Sequence, residues 1–395
     1  MQILRVCDAE TKKAFAHFPV KLYKNNPYWG HVSQHDLNHL FDPDKNPFFQ
    51  HGEAERWIIT NFRGNMIGRI AAFVDHSNPD HPIGSIGFFE CIDHLKAAFA
   101  LFDQCKAWFD RKNIQEIVGP HNLLNPLIQG GLLTSGFQEE AMSGTPYHQD
   151  YYQGLFEDYG FKLQHKQHHF LADLSSSKLS EKCQQKAGNI VDNQEFTIKS
   201  VEQKDFKAFA ESVLEIYQDA WQHQPADALV YHSADDLLQS VLPVLEEHTS
   251  WCAYHQKEPI GYFICLPENA HKYTRSKKAM ADRIKKLFQA DEHKITALMM
   301  GVKKQYQSKG IGAALMLQLL GEAQSGKKYR WLEIAGIGEQ HIRLMQLMHQ
   351  LDIKMIKTFH TYQYAIKEEI IAENRPVIPM PTSQKPSLSP YGKSL

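Results

Sequence analysis

The part of the chain that decides the fold reads ITALMMGVKKQYQSKGIGAALMLQLLGEAQSGKKYRWLEIAGI, from Ile295 to Ile337. Its first apolar run, Ile295–Val302, has the length and composition of a β-strand. Beyond a polar loop, apolar residues recur every three or four positions between Ile311 and Leu320, which is typical of a helix. A Ser-Gly pair ending at Gly326 stops that helix before a second apolar run. The stretch therefore predicts a β-loop-α-β unit.

The loop of this unit ends in Gln307-Ser308-Lys309-Gly310-Ile311-Gly312. Glycine lets the backbone approach a ligand closely, and the first N–H groups of the helix point outward at the positive end of its dipole. Such a turn suits a diphosphate. The loop lacks the Gly-Lys-Ser/Thr of a P-loop and the third glycine of a dinucleotide-binding motif. A glycine turn with a purely structural purpose is the alternative.

The six loop residues match Gln/Arg-x-x-Gly-x-Gly/Ala, and Phe196–Lys367 resembles the GNAT (Gcn5-related N-acetyltransferase) superfamily. In that superfamily the loop binds the diphosphate of acyl-CoA. The strand before the loop also separates from the next strand, and the pantetheine arm lies in the slot between them. The resemblance implies acyl-CoA as cosubstrate, held by Met300, Gly301, Val302, Gln307, Ser308, Lys309, Gly310, Ile311, Gly312 and Ala313.

Acyl transfer to an amine requires a proton acceptor, because a protonated amine has no lone pair. The resemblance places two acidic residues, Glu333 and Glu339, at the second wall of the slot. Glu333 lies within an apolar run, where burial is expected to raise the pKa of its carboxyl and make it a better base. A strand carboxylate that faces outward is the alternative.

Many GNAT enzymes continue with Asn-x-x-Ala-x-x-Leu-Tyr, in which the Asn holds CoA and the Tyr is a general acid. Here His341 and Met348 occupy those two positions. His341 is predicted as a polar contact or a proton shuttle, and Tyr362 or Tyr364 as the source of a phenol. A thiolate leaving group also needs no strong acid, because a plain thiol has a pKa near ~8.5.

Residues 1–174 repeat the predicted order of strands and helices without the diphosphate loop. Ile92-Asp93-His94 stands where the loop would be, and Asp93 would repel a diphosphate. We therefore expect an α/β fold with two tandem GNAT-like domains and mixed, mainly antiparallel sheets, the first domain being degenerate. The predicted boundaries are residues 1–174, a connection at 175–195, the acyl-CoA-binding domain at 196–370, and a Pro- and Ser-rich tail at 371–395.

The whole chain resembles a bacterial family of tandem GNAT-like proteins that includes ceramide synthases. The resemblance is carried by Leu22-Tyr23-x-x-Asn26-Pro27-x-Trp29, Asn46-Pro47-Phe48-Phe49, Gly68-Arg69-Ile70-Ala71, Gly87-Phe88-Phe89-Glu90-Cys91, Gly119-Pro120-x-Asn122 and Gly131-Leu132-Leu133-x-x-Gly136-Phe137. It implies an acyl-CoA-dependent N-acyltransferase with an amine acceptor, for which a lipid-like long-chain base is one candidate. A small-molecule N-acetyltransferase, a non-catalytic acyl-CoA-binding protein and a scaffold are the alternatives.

Composition excludes several other classes. A chain of 395 residues predicts more than one domain, and a net charge of −2 provides no field that attracts nucleic acid. The six cysteines include no Cys-x-x-Cys pair, so neither a zinc site nor a disulfide framework is predicted. His165, His168 and His169 fall in a probable strand that alternates their faces, which favours solvated or core histidines over a metal site.

Localisation and acceptor binding are predicted from three further features. The chain has no secretion signal or run of ~18 apolar residues, so a cytoplasmic location is expected. The basic run Asn269–His293 could contact an anionic bilayer or the phosphates of CoA, or form a solvated cover. An aromatic set in the first half is expected to serve partly as core and partly as a groove for a hydrophobic amine. This set comprises Tyr28, Trp29, Phe48, Phe49, Phe88, Phe89, Tyr147, Tyr151 and Tyr152.

Overall fold

The computed structural model describes residues 1–30, 34–76, 82–121, 130–139, 145–176, 179–220, 247–267, 294–326, 329–350 and 353–366. The predictions for the basic run at 269–293 and the tail at 371–395 concern residues outside these ranges. Within the described ranges, no helix combines the length and the apolar character needed to cross a bilayer.

The first half of the chain, residues 1–174, alternates strands and helices as predicted. Its elements are β1 (Gln2–Arg5), α1 (Ala9–Leu22), α2 (Gln34–Leu40), a short 3-10 helix (Pro47–Gln50), β2 (Gly52–Thr60), β3 (Met66–Asp75), β4 (Ile83–Cys91), α3 (Leu95–Asp110), β5 (Glu116–Gly119), β6 (Leu132–Ser135), α4 (Tyr152–Tyr159) and β7 (Lys162–Asp173).

The second half contains the predicted β-loop-α-β unit as β11, α7 and β12. Its elements are α5 (Glu181–Val191), β8 (Phe196–Ser200), α6 (Phe206–Ala220), β9 (Ser250–His255), β10 (Glu258–Pro267), β11 (Lys294–Val302), α7 (Ile311–Gly326), β12 (Trp331–Gly338), α8 (Ile342–Gln350) and β13 (Lys354–Ala365). Two further 3-10 turns, Gln203–Asp205 and Lys304–Tyr306, precede α6 and α7.

One continuous sheet of 13 strands joins the two halves. The strand order is β1-β2-β3-β4-β5-β13-β7-β12-β11-β10-β9-β8, and β6 pairs with β13 beside this path. Parallel pairing occurs between β4 and β5 and between β11 and β12. The predicted mixed, mainly antiparallel α/β fold is therefore confirmed, but the two expected sheets are joined into one.

The two halves exchange their last strands. Strand β13, from the second half, lies between β5 and β7 and places Tyr362 opposite Gly119. Strand β7, from the first half, pairs with β12 and places His168 opposite Ile337. Each half thus completes its part of the sheet with a strand of the other. The boundaries predicted at residues 174 and 196 divide the sequence, and as boundaries between folding units they stay a prediction.

The predicted connection 175–195 contains helix α5, which was missed in the sequence. Ser180 caps the helix by accepting a hydrogen bond from the Cys183 N–H. Cys183, Ala187 and Ile190 are buried at helical spacing, and α5 packs against α7. Three small or medium apolar residues among charged neighbours give a weak periodic signal, which is why this segment reads as a linker.

Candidate active site

A V-shaped slot separates β11 from β12 in the second half. The two strands pair only from Lys294 opposite Trp331 to Ala297 opposite Ile334, although β11 continues to Val302 and β12 to Gly338. The register of β11 on β10 also shifts at this point, between Ile264 and Cys265. Leu298, Met299 and Met300 are only half-buried beyond the divergence. The end of β11 therefore offers an accessible strand edge.

The loop that follows β11 leads directly into helix α7. Gln307 donates a side-chain hydrogen bond to the carbonyl of Val302 at 3.1 Å, which anchors the loop to the strand. Ser308 and Gly310 adopt left-handed φ angles of 64° and 105°. A Cβ at Gly312 would meet only the Met300 Sδ, at 3.5 Å. Backbone turns of this kind at a helix N-terminus form a concave anion-binding surface.

Helix α5 lies against Gly310. A Cβ at Gly310 would lie 2.7 Å from the backbone oxygen of Lys186. The Lys186 ammonium donates a hydrogen bond to the carbonyl of Ser308 at 3.2 Å. The absent side chain of Gly310 thus admits a neighbouring helix, and α5 forms one side of the loop.

Glu333 is fully buried and ionised, which corrects the prediction for its pKa. Its carboxylate accepts a hydrogen bond from His169 Nδ1 at 3.4 Å and forms an ion pair with Lys294. Burial opposes the charge, but the His169 hydrogen bond and the charges of Lys294 and Lys357 outweigh it and lower the pKa to about 2. A carboxylate with so low a pKa is a poor proton acceptor.

Glu339 lies just beyond the end of β12, and its side chain is 53% exposed. His168 Nε2 donates a hydrogen bond to its Oε1 at 3.1 Å, and the Lys166 ammonium lies 3.9 Å away. The other ring nitrogen of His168, Nδ1, accepts a hydrogen bond from the Thr358 hydroxyl at 3.1 Å. An exposed carboxylate at the open end of the slot is therefore held by a buried imidazole.

His341 and Tyr362, which were predicted to take part in proton transfer, lie in different parts of the structure. His341 lies at the start of α8, where its carbonyl accepts from the N–H groups of Leu344 and Met345, and burial lowers the pKa of its imidazole. Tyr362 is buried against the first-half core, and its hydroxyl donates to Glu157 at 2.9 Å. The structure therefore brings Glu339 and His341 together at one end of β12 and does not bring Tyr362 to them.

His168 and His169 are the residues that sequence reasoning missed as parts of this site. Both are buried on β7, and they contact the two predicted acids, Glu339 and Glu333. No local pattern could assign them to the second half, since only the strand exchange brings them there. Among the described residues, no group of three or more His, Cys, Asp and Glu side chains is arranged to hold a metal ion.

The matching slot in the first half is closed. Strand β4 pairs with β5 only at Gly84 and Ser85, so the strands diverge as β11 and β12 do. Here, however, the Tyr151 hydroxyl donates to the Cys91 carbonyl at 2.7 Å, and the Cys91 N–H donates to the Tyr152 hydroxyl at 3.0 Å. Residues 86–91 are all buried.

A buried carboxylate, Glu90, lies at the centre of this closed slot. It accepts hydrogen bonds from the hydroxyls of Tyr23 at 2.6 Å and Tyr152 at 2.9 Å, and Arg69 lies 3.7 Å away. Burial raises the pKa of Glu90 to about 7, although the charge of Arg69 and the two tyrosine hydrogen bonds oppose the rise. Three of the stretches that carry the family resemblance thus meet at one polar cluster.

The predicted aromatic set does not form one groove. Phe89, Tyr151 and Tyr152 pack in the core under α3 and α4, and Phe48 and Phe88 pack beside α1 and α2. Tyr28, Trp29 and Tyr147 form a third group with Tyr23 and Phe359. Tyr28 and Tyr147 also line a surface cleft next to the end of α1. Most of these aromatics are therefore core residues.

Comparisons with known proteins agree with this geometry. Residues 207–348 match the model of the acetyltransferase (GNAT) family, a range that includes β11, its loop, α7 and β12. The chain is 25% identical over 382 residues to Protein YghO of Escherichia coli (strain K12), which covers 90% of this chain and 93% of that protein. It is 22% identical over 375 residues to the Bacterial ceramide synthase of Caulobacter vibrioides (strain NA1000 / CB15N), which covers 90% of this chain and 94% of that protein.

The architecture also has a solved counterpart. A tandem GNAT protein from the clavulanic acid biosynthesis pathway, solved without AcCoA, superposes with a TM-score of 0.55 at 9% identity. The match covers 93% of this chain and 98% of that chain. At so low an identity the likeness concerns the fold alone, and it confirms the predicted tandem GNAT-like architecture.

Proposed function

We propose that this chain is an acyl-CoA-dependent N-acyltransferase, because residues 207–348 match the acetyltransferase (GNAT) family model and the fold resembles that of a tandem GNAT protein. The observation that carries the proposal is the open slot between β11 and β12, with the Gln307–Gly312 loop at its end. The slot has an accessible strand edge for an extended ligand, and the loop has outward N–H groups for a diphosphate.

The reaction follows from what these groups can do. The amine nitrogen attacks the thioester carbonyl, the carbon–sulfur bond breaks, and the CoA thiolate leaves with the electron pair. A backbone N–H between Met299 and Val302 would stabilise the oxyanion that forms on the carbonyl oxygen. The thiolate needs no strong acid, since its conjugate thiol has a pKa near ~8.5. We therefore assign no role to Tyr362.

The proton of the amine goes to Glu339 in this proposal. Glu339 is exposed beside the slot, whereas the ionised Glu333 is fully buried and held by Lys294 and His169. Glu333 is better described as a structural anion that neutralises buried cations where three strands meet. Its substitution is expected to lower stability more than it lowers the rate constant of acyl transfer.

A lipid-like long-chain base is the acceptor that we propose. The support is the match along nearly the whole chain to a protein named as a bacterial ceramide synthase. Each buried CH₂ group would contribute about 0.8 kcal/mol to binding, so even a partial groove would favour a long chain over a small polar amine. The aromatic set of the first half does not support this acceptor, because its members are distributed over three separate cores and do not line one hydrophobic groove.

The donor site is tested by a pair of substitutions at Gly312, where a side chain fits. Gly312→Asp places a carboxylate among the loop N–H groups, and we expect acyl-CoA binding measured by calorimetry to weaken by at least 100-fold. Gly312→Asn has nearly the same shape without the charge and is the control. Equal binding by the two variants would contradict the assignment of the loop to a diphosphate.

Acyl transfer is tested by thiol release, with sphinganine competing against spermidine and palmitoyl-CoA against acetyl-CoA. We expect release to depend on sphinganine and on the long-chain donor. A preference for spermidine with acetyl-CoA would overturn the lipid-like acceptor and leave the acyltransferase standing. Tight acyl-CoA binding without thiol release would favour a binding protein instead, a candidate that the buried Met348 at the usual tyrosine position supports.

A further inference from the structure

The exchange of strands gives the second-half slot a wall made by the first half. Strand β7 pairs with β12 along most of its length, and Gln167 and His168 lie opposite Gly338 and Ile337 at the open end of the slot. Strand β13 flanks β7 on its other edge, with Thr358 opposite His168. His168 therefore lies between two strands of the second half.

The hydrogen bonds of His168 fix its ring in one orientation. Its Nε2 bonds to Glu339 on one side, and its Nδ1 bonds to Thr358 on the other. A carboxylate only accepts, so Nε2 carries the hydrogen and Nδ1 accepts from the Thr358 hydroxyl. The His168 side chain is 7% exposed, whereas Glu339 is 53% exposed. A rigid buried donor thus holds one oxygen of a reachable carboxylate.

We propose that His168, carried into the second half by the exchanged strand, is a positioning residue that orients Glu339 as the proton acceptor of acyl transfer. The inference rests on the proposed function. The first half, which has lost an open slot, would then still contribute to catalysis through a single strand. His168 itself stays at its two hydrogen bonds, and the proton of the amine is transferred to the free oxygen of Glu339.

The remaining charges around this pair belong to β7 and β13. The Lys166 ammonium lies 3.9 Å from the Glu339 carboxylate. Burial lowers the pKa of the His360 imidazole on β13, which also interacts electrostatically with Lys166, Glu339 and His168. Loss of His168 would therefore leave Glu339 with one cation nearby but without the hydrogen bond that fixes its direction.

The test compares three single variants and one double variant of the 395-residue chain by thiol release, using the amine and acyl-CoA pair that wild type turns over fastest. We expect His168→Leu to lower kcat by roughly 10- to 100-fold, the range for loss of a group that orients a reacting residue. The KM for acyl-CoA should change little.

His168→Gln is the conservative control, since its amide N–H can reach toward Glu339, and we expect it to recover part of the lost kcat. The third variant, Glu339→Gln, is expected to lose roughly 10²- to 10⁴-fold in rate. Adding His168→Leu to Glu339→Gln should then cost little more, because the two residues act as a unit.

Three results would overturn the inference, and they separate the role of His168 from the proposed function. If wild type is active and His168→Leu keeps its kcat, only the positioning role is wrong. An additive effect in the double variant would lead to the same conclusion. If wild type releases no thiol with any pair of substrates, the proposed function fails, and the role of His168 fails with it.

Discussion

The two slots of this molecule share one backbone design and differ in what occupies the strand edge. In the first half, Tyr151 and Tyr152 hydrogen-bond to the backbone of Cys91, and residues 86–91 are buried. In the second half, Leu298–Met300 are half-buried beyond the point of divergence. Two hydroxyl groups thus satisfy the backbone N–H and carbonyl of Cys91 at the diverging strand edge. The comparison teaches that such a slot can be closed by side chains while the divergence of the strands is kept.

The helices that follow the two slots differ in the same sense. Helix α3 is capped by the His94 side chain, which accepts from the Ala97 N–H at 3.2 Å. Helix α7 follows Gly310 and the left-handed Ser308 instead. An N-terminus that is already capped has fewer N–H groups for a ligand. The first half therefore lacks both parts of an acyl-CoA site, and we expect acyl-CoA to bind to the second half only.

The largest effect is expected from Gly310, where the second half packs its loop against α5. Gly310→Ala must adopt a left-handed φ and meet the Lys186 backbone oxygen at 2.7 Å, so we expect loss of acyl-CoA binding and a loss of stability of about 3 kcal/mol or more. Gly64→Ala is the matched control, because Gly64 has a φ of 75° and open space around it. It should cost only about 1–2 kcal/mol. Thermal unfolding and calorimetry check both variants, and equal losses would mean that α5 does not press on the loop.

The second prediction uses the two buried carboxylates, whose pKa values are shifted in opposite directions. The pKa of Glu90 is raised to about 7, so its contribution to stability is present below about pH 4.5 and is lost as pH rises through 7. The pKa of Glu333 is lowered to about 2, so its contribution is present above about pH 4.5 and is lost as pH falls toward 2. Each shift corresponds to about 3 kcal/mol.

Melting temperatures of Glu90→Gln and Glu333→Gln across pH check this contrast. The difference from wild type should change mainly between pH 5 and 8 for Glu90→Gln. For Glu333→Gln the deficit seen at neutral pH should shrink as the solution is acidified. If both variants lose stability to the same extent at every pH, the two carboxylates do not differ in ionisation as described.

The third prediction concerns the hydroxyl groups that close the first slot. Tyr151→Phe leaves the Cys91 carbonyl without its donor, and we expect a loss of about 1–2 kcal/mol in the free energy of unfolding. Tyr159→Phe removes a hydroxyl that bonds to Asp103 at an exposed position, and it should cost less than half as much. Neither variant should gain acyl-CoA binding in the first half, because the diphosphate loop is absent there. New binding detected by calorimetry in a Gly312→Asp background would show that the closed edge was the main obstacle.

The smallest effect is expected from Lys186, which α5 holds beside the loop. Lys186→Ala removes an exposed ammonium group beside the loop that we propose binds the diphosphate, so we expect acyl-CoA affinity to fall by about three- to tenfold. The loss should shrink at high salt, because exposed charges are screened. Lys204→Ala removes an equally exposed charge that pairs with Glu202, and it is the control. Equal effects of the two substitutions would indicate only a change in net charge.

Local features of the fold were predictable from the sequence, whereas the pairing of distant strands was not. The periodicity of Ile295–Ile337 predicts β11, α7 and β12 correctly, because each element buries a face that its own sequence encodes. The exchange of β7 and β13 depends on contacts between residues far apart in the sequence, which a local pattern of apolar residues does not predict. Helix α5 resembles a linker in the sequence for a related reason, since its three buried residues pack against elements that come later in the chain, including α7 and β8.

The same limit applies to the residues of the candidate site: local sequence predicts some of them but not their distant partners. Glu339 could be named from its place after β12, but its partner His168 is 171 positions away in the sequence. The pKa expected for Glu333 from burial alone is wrong. His169 on β7 and Lys294 on β11 lower this pKa by more than burial raises it, and only the assembled sheet brings them next to Glu333.

The exchange of last strands also imposes an order in time. Gly119 pairs with Tyr362, which the ribosome adds about 240 residues later. The edge of β5 that faces away from β4 therefore has no final partner while the second half is made. Contacts between such distant residues slow folding, and an unpaired edge is open to wrong partners until β13 arrives. A stop codon just before Lys354 would therefore destabilise the first half of the chain as well as the second. The twelve-residue strand β13 completes the part of the sheet that the first half builds.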